Sequence, residues 1–415
     1  MTILATIFNA SIESPETPIS SQSILEVIGG ESTHSGKKVT EEGVLGLPAV
    51  WRAVNVIAGS CASLPLHAFK PDGDGRVRVT SGQPADLLDY PHPDMTPFEF
   101  WETVYAHIAL WGNAYLRVLR NELGQVRELW PIHPGRVKVG RTSETGVKVY
   151  AVDGGKQYLQ DFDPRTRSGH ILHIPGFGYD GVVGVSPIRA ARQGLGLAIA
   201  AEEYGAKLFG SGSLATGVLQ SEQRLSQEQA DAIQARWRAK RTGLASAHEV
   251  IVLDSGAKFH QLSIPPADAQ FLESRSFQIS EIARMFGVPP HMLMDTDKST
   301  SWGTGIEQQS IGFVVYTLRP WLTRVEQRVS RVIRPQAAYA RYSVEGLLRG
   351  DSAQRAAFYQ SMWNIGAFST NEIRALEDRA PVEGGDTRYR PLNMGGLGST
   401  DSANVPAPTQ ETANA

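Results

Sequence analysis

The sequence predicts an α+β protein, and three observations carry that prediction. Residues 47–186 hold short β-prone runs punctuated by turn signals, with amphipathic helices set among them. Two helical patterns of similar length, Ile188–Phe209 and Asp268–Phe286, flank a compact αβ insertion, as an antiparallel pair carrying a small domain at its tip would. A polar loop, His291–Thr304, then separates the second of these helices from a long helical pattern over Ile306–Ile333.

Taken in order, residues 1–42 are rich in Ser, Thr, Glu and Gly and read as a loosely ordered arm. In Leu47–Leu66 the apolar residues Val50, Val54, Ile57, Ala58 and Cys61 recur at helical spacing, and Pro65 ends the helix. Cys61 falls on that stripe and reads as a buried thiol, since nothing near it in sequence would lower its pKa. Strand-like runs at Leu66–Lys70 and Arg76–Thr80 are separated by the turn Asp72-Gly73-Asp74-Gly75. Thr96-Pro97-Phe98-Glu99 is a capping box with proline in the first turn, and it opens a helix through Trp101, Val104, His107, Ile108 and Trp111 to Gly112. Strands follow at Ala114–Arg120, Val126–Pro131, Val137–Val139, Val147–Val152 and Ile171–Ile174.

Ser186-Pro187 caps the first long helix, which places Ala191, Leu195, Ile199 and Leu208 on one face and stops at Gly210–Ser213. The insertion comprises a strand at Gly217–Gln220, a helix over 227–242 with Ser226 as N-cap, and strands at Glu249–Leu253 and Lys258–Gln261. Pro265-Pro266 separates it from the second long helix, whose apolar positions are Phe271, Leu272, Ile279, Ile282 and Phe286. Pro320 is expected to break or kink the helix that follows the polar loop. Asp351–Leu376 is helical, with a second capping box at Ser369-Thr370-Asn371-Glu372, and Gly395–Ala415 is a flexible tail.

Composition excludes several classes. At roughly 150 residues per domain, 415 residues make two or three domains or one elongated subunit. The 40 Lys and Arg against 43 Asp and Glu exclude a protein that holds nucleic acid by bulk positive charge. A single cysteine excludes a disulfide framework or a CxxC zinc site. No apolar run reaches the length of a membrane span, and no Lys or Arg precedes Lys37 as a signal peptide would require, so a soluble protein of a reducing compartment is expected.

The chemistry-bearing patterns are weak. Gly30-Glu-Ser-Thr-His-Ser-Gly36-Lys37-Lys38 comes close to a phosphate-binding loop, but five residues separate the glycines instead of four, Lys38 stands where Ser or Thr must reach magnesium, and no strand precedes it. His170 and His173 lie three apart on a strand, where side chains point to opposite faces and do not converge on a metal. There is no GxSxG elbow, HExxH or GxGxxG, so no catalytic residue, metal or cofactor is expected. Arg236, Trp237, Arg238, Lys240 and Arg241 form a basic cluster with an aromatic in the insertion, either a solvated helix face or a docking surface. Arg189, Arg192 and Lys207 on the first long helix, and Arg275 and Arg284 on the second, sit off the apolar faces as solvent charges, or face a neighbour or a channel in a ring.

Eight separated stretches stand out: Gly112-Asn113-Ala114-Tyr115, Gly184-Val-Ser-Pro-Ile188, Leu208-Phe209 with Gly217-Val218-Leu219, Gln270-Phe271-Leu272-Glu273, Glu281–Pro290, Ser301–Gln309, Thr317–Leu322 and Thr370–Arg374. Together and in this order they resemble the portal proteins of tailed bacteriophages, specifically the HK97-type group. The resemblance covers roughly 44–393 and implies a portal fold with an α/β wing, a two-helix stem, a small αβ clip, a tunnel loop, a long kinked wing helix and a helical crown. Its domains would be a flexible arm at 1–43, wing at 44–186, stem helices at 187–211 and 267–287, clip at 212–266, tunnel loop at 288–304, wing helix at 305–335, crown at 336–394 and a disordered tail at 395–415. It implies a dodecameric ring at one capsid vertex of the virion, assembled in the host cytoplasm. Double-stranded DNA would be packaged and ejected through that ring. The partners implied are the large terminase subunit, the head–tail adaptor, the major capsid protein and the scaffold, with no membrane. Asp295, Asp297, Lys298, Ser299, Thr300 and Ser301 would line the pore, and the basic cluster of the insertion would serve partner docking. A head–tail adaptor or other ring-forming virion component is the alternative, which the helix–insertion–helix pattern disfavours.

Overall fold

The computed structural model describes residues 9–10, 18–19, 33–73, 75–141, 146–155, 157–166, 168–178, 180–210, 217–220, 226–228, 231–232, 258–261, 267–294, 304–333, 337–344, 352–377 and 379–388. They fall into two compact units, Met1–Val344 and Glu345–Ala415.

In the first unit a two-residue antiparallel ribbon, Asn9–Ala10 with Pro18–Ile19, and a 3-10 turn at Gly43–Gly46 precede α1 (Pro48–Ala62), which buries Val50, Ala53, Val54, Ile57, Ala58 and Cys61 as its spacing requires. The hairpin β1 (Leu66–Asp72) and β2 (Gly75–Val79) follows, then a short helix the sequence reading did not place, α2 (Gln83–Asp89). Helix α3 (Pro97–Trp111) carries the expected capping box. Thr96 Oγ1 accepts from Glu99 N at 3.3 Å while Glu99 Oε2 accepts from Thr96 N at 2.8 Å, and Gly112 ends the helix in the left-handed region at φ +71°. Strands β3 (Asn113–Arg120), β4 (Val126–Ile132), β5 (Val137–Arg141), β6 (Lys148–Val152), β7 (Gln157–Gln160) and β8 (Ile171–Pro175) build two antiparallel three-stranded sheets, in the orders β8–β3–β4 and β5–β6–β7.

Helix α1 packs along α3, and the core runs between them and the β8–β3–β4 sheet through Ile57, Phe100, Tyr105, Leu116 and Leu172. Side chains as completely enclosed as Phe100 and Ile57 each contribute about 1.5–3 kcal/mol by leaving water. Cys61 is fully enclosed, and burial raises its thiol pKa well above the usual range, so it is inert at neutral pH, as the sequence indicated.

The first long helix starts as a single turn, α4 (Pro187–Ala190), and continues as α5 (Arg192–Gly210) after Ala191 leaves helical geometry. A two-stranded antiparallel ribbon, β9 (Gly217–Gln220) with β10 (Lys258–Gln261), begins and ends the described part of the insertion. Helix α6 (Ala267–Phe286) returns, and Gly287 turns it off at φ +67°. The long pattern after the polar loop is α7 (Thr304–Gly312), a π-helical stretch Phe313–Leu318, and α8 (Arg319–Ile333). The expected break at Pro320 is therefore displaced and softened. Proline has no N–H for the Tyr316 carbonyl four residues back, and the helix widens over the preceding turns without ending.

Strand β11 (Tyr339–Tyr342) joins the hairpin in the order β11–β1–β2. Residues 337–344, which the sequence reading assigned to the crown, thus belong with the first unit, and the second opens at Glu345. That second unit consists, in its described part, of α9 (Ser352–Asn364) and α10 (Thr370–Leu376). Its capping box is present at Ser369 and Glu372, and Asn371 ties the following loop by donating to Val382 O at 3.0 Å and accepting from Val382 N at 2.8 Å.

Candidate functional site

The helix pair α5/α6 and the loop beyond it are the part of the fold that the resemblance makes functional, and the surrounding residues decide how they are held. The start of the pair is fixed by a knot of two glycine motifs. Gly112 has no side chain because a Cβ there would lie 2.2 Å from Val185 O, and a Cβ on Gly184 would lie 2.0 Å from Gly112 O. Gly176 N donates to Gly112 O at 2.7 Å. Ser186 accepts from Arg189 N at 3.2 Å as helix cap and donates to Leu110 O at 2.7 Å, so one hydroxyl both starts the helix and moors it to the end of α3.

Asn113 sits at the centre of this knot with its amide saturated. Nδ2 donates to Gly184 O at 2.7 Å and to Trp111 O at 3.1 Å. Oδ1 accepts from Gly184 N at 2.7 Å and lies 2.9 Å from His173 Nε2. Behind it, Lys148 Nζ lies 2.8 Å from His173 Nδ1 and also donates to Val182 O. An ammonium only donates, so Nδ1 accepts and Nε2 carries the proton given to Asn113. Burial, and then the Lys148 and Arg328 charges, push the His173 pKa well down, consistent with this neutral tautomer. Burial lowers Lys148 to about 8. His173 stacks on Tyr115, their ring centroids 4.6 Å apart, and Tyr150 donates to Asp161 Oδ1 at 2.8 Å. Helix α8 grips the same region, with Arg324 donating to Gly176 O at 2.8 Å and Arg331 to Phe162 O at 2.5 Å.

The far side of the pair is closed at the base of the polar loop. Thr317 Oγ1, in the π-helical stretch, donates to Gly287 O at 2.6 Å. A Cβ on Gly287 would lie 2.9 Å from that same hydroxyl oxygen. His291 Nδ1 lies 3.0 Å from Gln309 Oε1, and Arg52 Nε donates to Met292 O at 3.1 Å. The two ends of the loop are therefore stapled to each other and to α1.

The expected site residues are placed unevenly. Asp295, Asp297, Lys298, Ser299, Thr300 and Ser301, and Arg236, Trp237, Arg238, Lys240 and Arg241, lie outside the described residues. Of the stem charges expected to be solvent-facing, one is not: Arg192 is 5% exposed, and among the described residues its Nε and Nη2 have no hydrogen-bond partner. Arg189 stays exposed, as expected, while its Nε pairs with the buried carboxylate of Glu41 at 2.8 Å. Arg284 is exposed and pairs with Glu281 one turn back. His170 is exposed and His173 buried, so they diverge as strand geometry requires. Among the described residues no group of three His, Cys, Asp or Glu side chains is placed to hold a metal. Asn113 was visible only as part of a motif, and Lys148 carried no sequence signal at all.

Fold and site together define a structural scaffold, an α+β body that moors a helix pair at one end and closes a loop at the other. The family model described as phage portal protein matches residues 48–378. The chain is 37% identical over 360 residues to the portal protein of Enterobacteria phage HK97, covering 85% of this chain and 83% of that one. It is 35% identical over 385 residues to the probable portal protein of Streptomyces phage phiC31, covering 89% and 83%. Its fold is similar to a chain in the neck of a native gene transfer agent particle computed with C12 symmetry, with TM-score 0.57 and 22% identity over 88% of this chain and 100% of that one. The chain belongs to the phage portal protein family, in its HK97-type group.

Proposed function

We propose that the protein is the subunit of a ring at a unique capsid vertex, through which double-stranded DNA is packaged and later ejected. The observation that carries this reading is the family match over residues 48–378, which takes in the body, both stem helices, the loop and α9–α10. A twelvefold ring is supported by the similarity to the neck chain, whose particle was computed with C12 symmetry. The charge balance suits the role. Each phosphate neutralised by a conduit adds salt-dependent affinity and therefore drag, and 40 basic against 43 acidic residues keep that affinity low. Energy for translocation comes from a separate motor in this reading. The residues 295–301 line the pore, and the insertion between β9 and β10 docks the large terminase subunit and the head–tail adaptor. The ring sits in the virion among major capsid protein and scaffold, after assembly in the host cytoplasm.

Native mass spectrometry of the purified protein, alone and with capsid protein, tests the reading, with electron microscopy of any large species. A ring of about a dozen subunits with a central hole is expected. A chain that stays monomeric in both conditions overturns it.

A further inference from the structure

The near miss to a phosphate loop, Gly30–Lys38, is not absorbed by the channel reading, and its described part has a different use. Residues 33–37 fold into a tight turn. Thr33 Oγ1 donates to Lys37 O at 2.6 Å and accepts from Lys37 N at 3.0 Å, Gly36 N donates to Thr33 O at 2.9 Å, and Gly36 takes φ +71°. This turn is seated on α5. Thr33 is 5% exposed and fits a notch left by Gly196, where a Cβ would lie 2.7 Å from Thr33 Cγ2. His34 N donates to Gln193 Oε1 at 3.0 Å, and Lys37 pairs with Glu203. Positions 193, 196 and 203 are spaced so that they share one face of the helix.

The same segment then runs onto the body. Val39 packs against the main core and Val44 is fully enclosed within it. Glu41, 7% exposed, holds Arg189 in the first turn of the stem. Glu42 Oε1 comes within 4.0 Å of His133 Nε2 on the body. One short stretch of chain therefore bridges three separate stations, one face of α5, the single-turn helix α4 before it, and the body. The lysine that a phosphate loop would aim at a nucleotide is committed to Glu203.

We propose that residues 33–42 are a positioning strap that fixes the direction in which the first stem helix leaves the body. The consequence for a conduit rests on the ring reading, but the strap itself is a property of the single chain. Two of its attachments are ion pairs at least partly open to water, and such pairs contribute little each and are screened by salt. Its hold on α5 between Glu203 and the Gly196 notch is thus electrostatic at one end and steric at the other.

Hydrogen-exchange mass spectrometry on the full chain tests this. Lys37→Glu sets two carboxylates against each other, and peptides from 192–210 should exchange several-fold faster while those from α3 stay unchanged. Adding Glu203→Lys to that variant should restore slow exchange, a rescue that loss of general stability would not give. Gly196→Val, which fills the notch, should give the same local effect as Lys37→Glu. If it accelerates exchange everywhere it has unfolded the chain, and the charge-swap pair then decides. Unchanged exchange over 192–210 in Lys37→Glu, or no rescue in the swap, overturns the strap. Ring stoichiometry measured in parallel separates the two readings, because lost rings with α5 still protected count against the ring and not the strap.

Discussion

At the scale of single residues, the junction between α3, β8 and the first long helix is organised by one amide whose partners are fully allocated. Asn113 uses all four hydrogen-bonding positions of its amide to join α3, β8 and the chain leading to the stem. Asn113→Ala leaves Gly184 N, Gly184 O and the His173 ring nitrogen buried without partners, and at about 1–3 kcal/mol for each orphaned group the variant should lose at least about 3 kcal/mol in chemical denaturation. His107 shows the opposite situation. Its Nδ1 is buried without a partner, and its ring lies 5.8 Å from that of His133. Burial, and then the neighbouring His133, lower its pKa from 6.5 to about 4. The unfolded chain therefore takes up a proton as pH falls below 6.5 while the folded chain does not until about 4, so stability drains away across that window, by up to about 3 kcal/mol. His107→Gln should flatten that part of a stability-against-pH curve and leave the curve above pH 7 unchanged.

At the scale of elements, the contacts between segments are set by where side chains are missing. Gly112 and Gly184 let two stretches of backbone approach more closely than any Cβ allows. Gly184→Ala must push its methyl against Gly112 O and Gly176 N, so it should cost more than about 3 kcal/mol or prevent folding, read as loss of soluble protein or a collapsed melting temperature. The long helix after the loop shows a second device. Its π-helical stretch absorbs the defect of Pro320 and at the same place offers Thr317 to the end of α6. Thr317→Val keeps the shape and removes that bond. We expect a loss of about 1 kcal/mol in global stability, with faster hydrogen exchange at 283–294.

At the scale of the whole molecule, a near-neutral chain with a moored helix pair suits a member of the portal family. The docking role proposed for the insertion belongs to this scale. Reversing Arg236, Arg238, Lys240 and Arg241 to Glu should impair binding of the packaging motor or the adaptor while leaving ring assembly intact. Normal DNA packaging by rings carrying those four changes would remove the cluster from the docking surface.

The sequence by itself determined the elements whose signal is local. Both capping boxes, the apolar stripe of α1, the 66–79 hairpin and the strands β3, β4 and β8 stand where periodicity and turn chemistry put them, because neighbours within a few residues decide those states. The ordered motifs also sufficed to name the family. Only the tertiary structure decided the rest. It showed that Gly112-Asn113 and Gly184–Ser186, 71 residues apart between Asn113 and Gly184, form one knot, that residues 33–37 lie on α5, and that Arg192 is covered. It also carried β11 across more than 260 residues of chain to pair with β1. These are contacts between distant segments. Their energy depends on which surfaces meet, and a pattern of residues along one segment holds no record of the partner that will cover it.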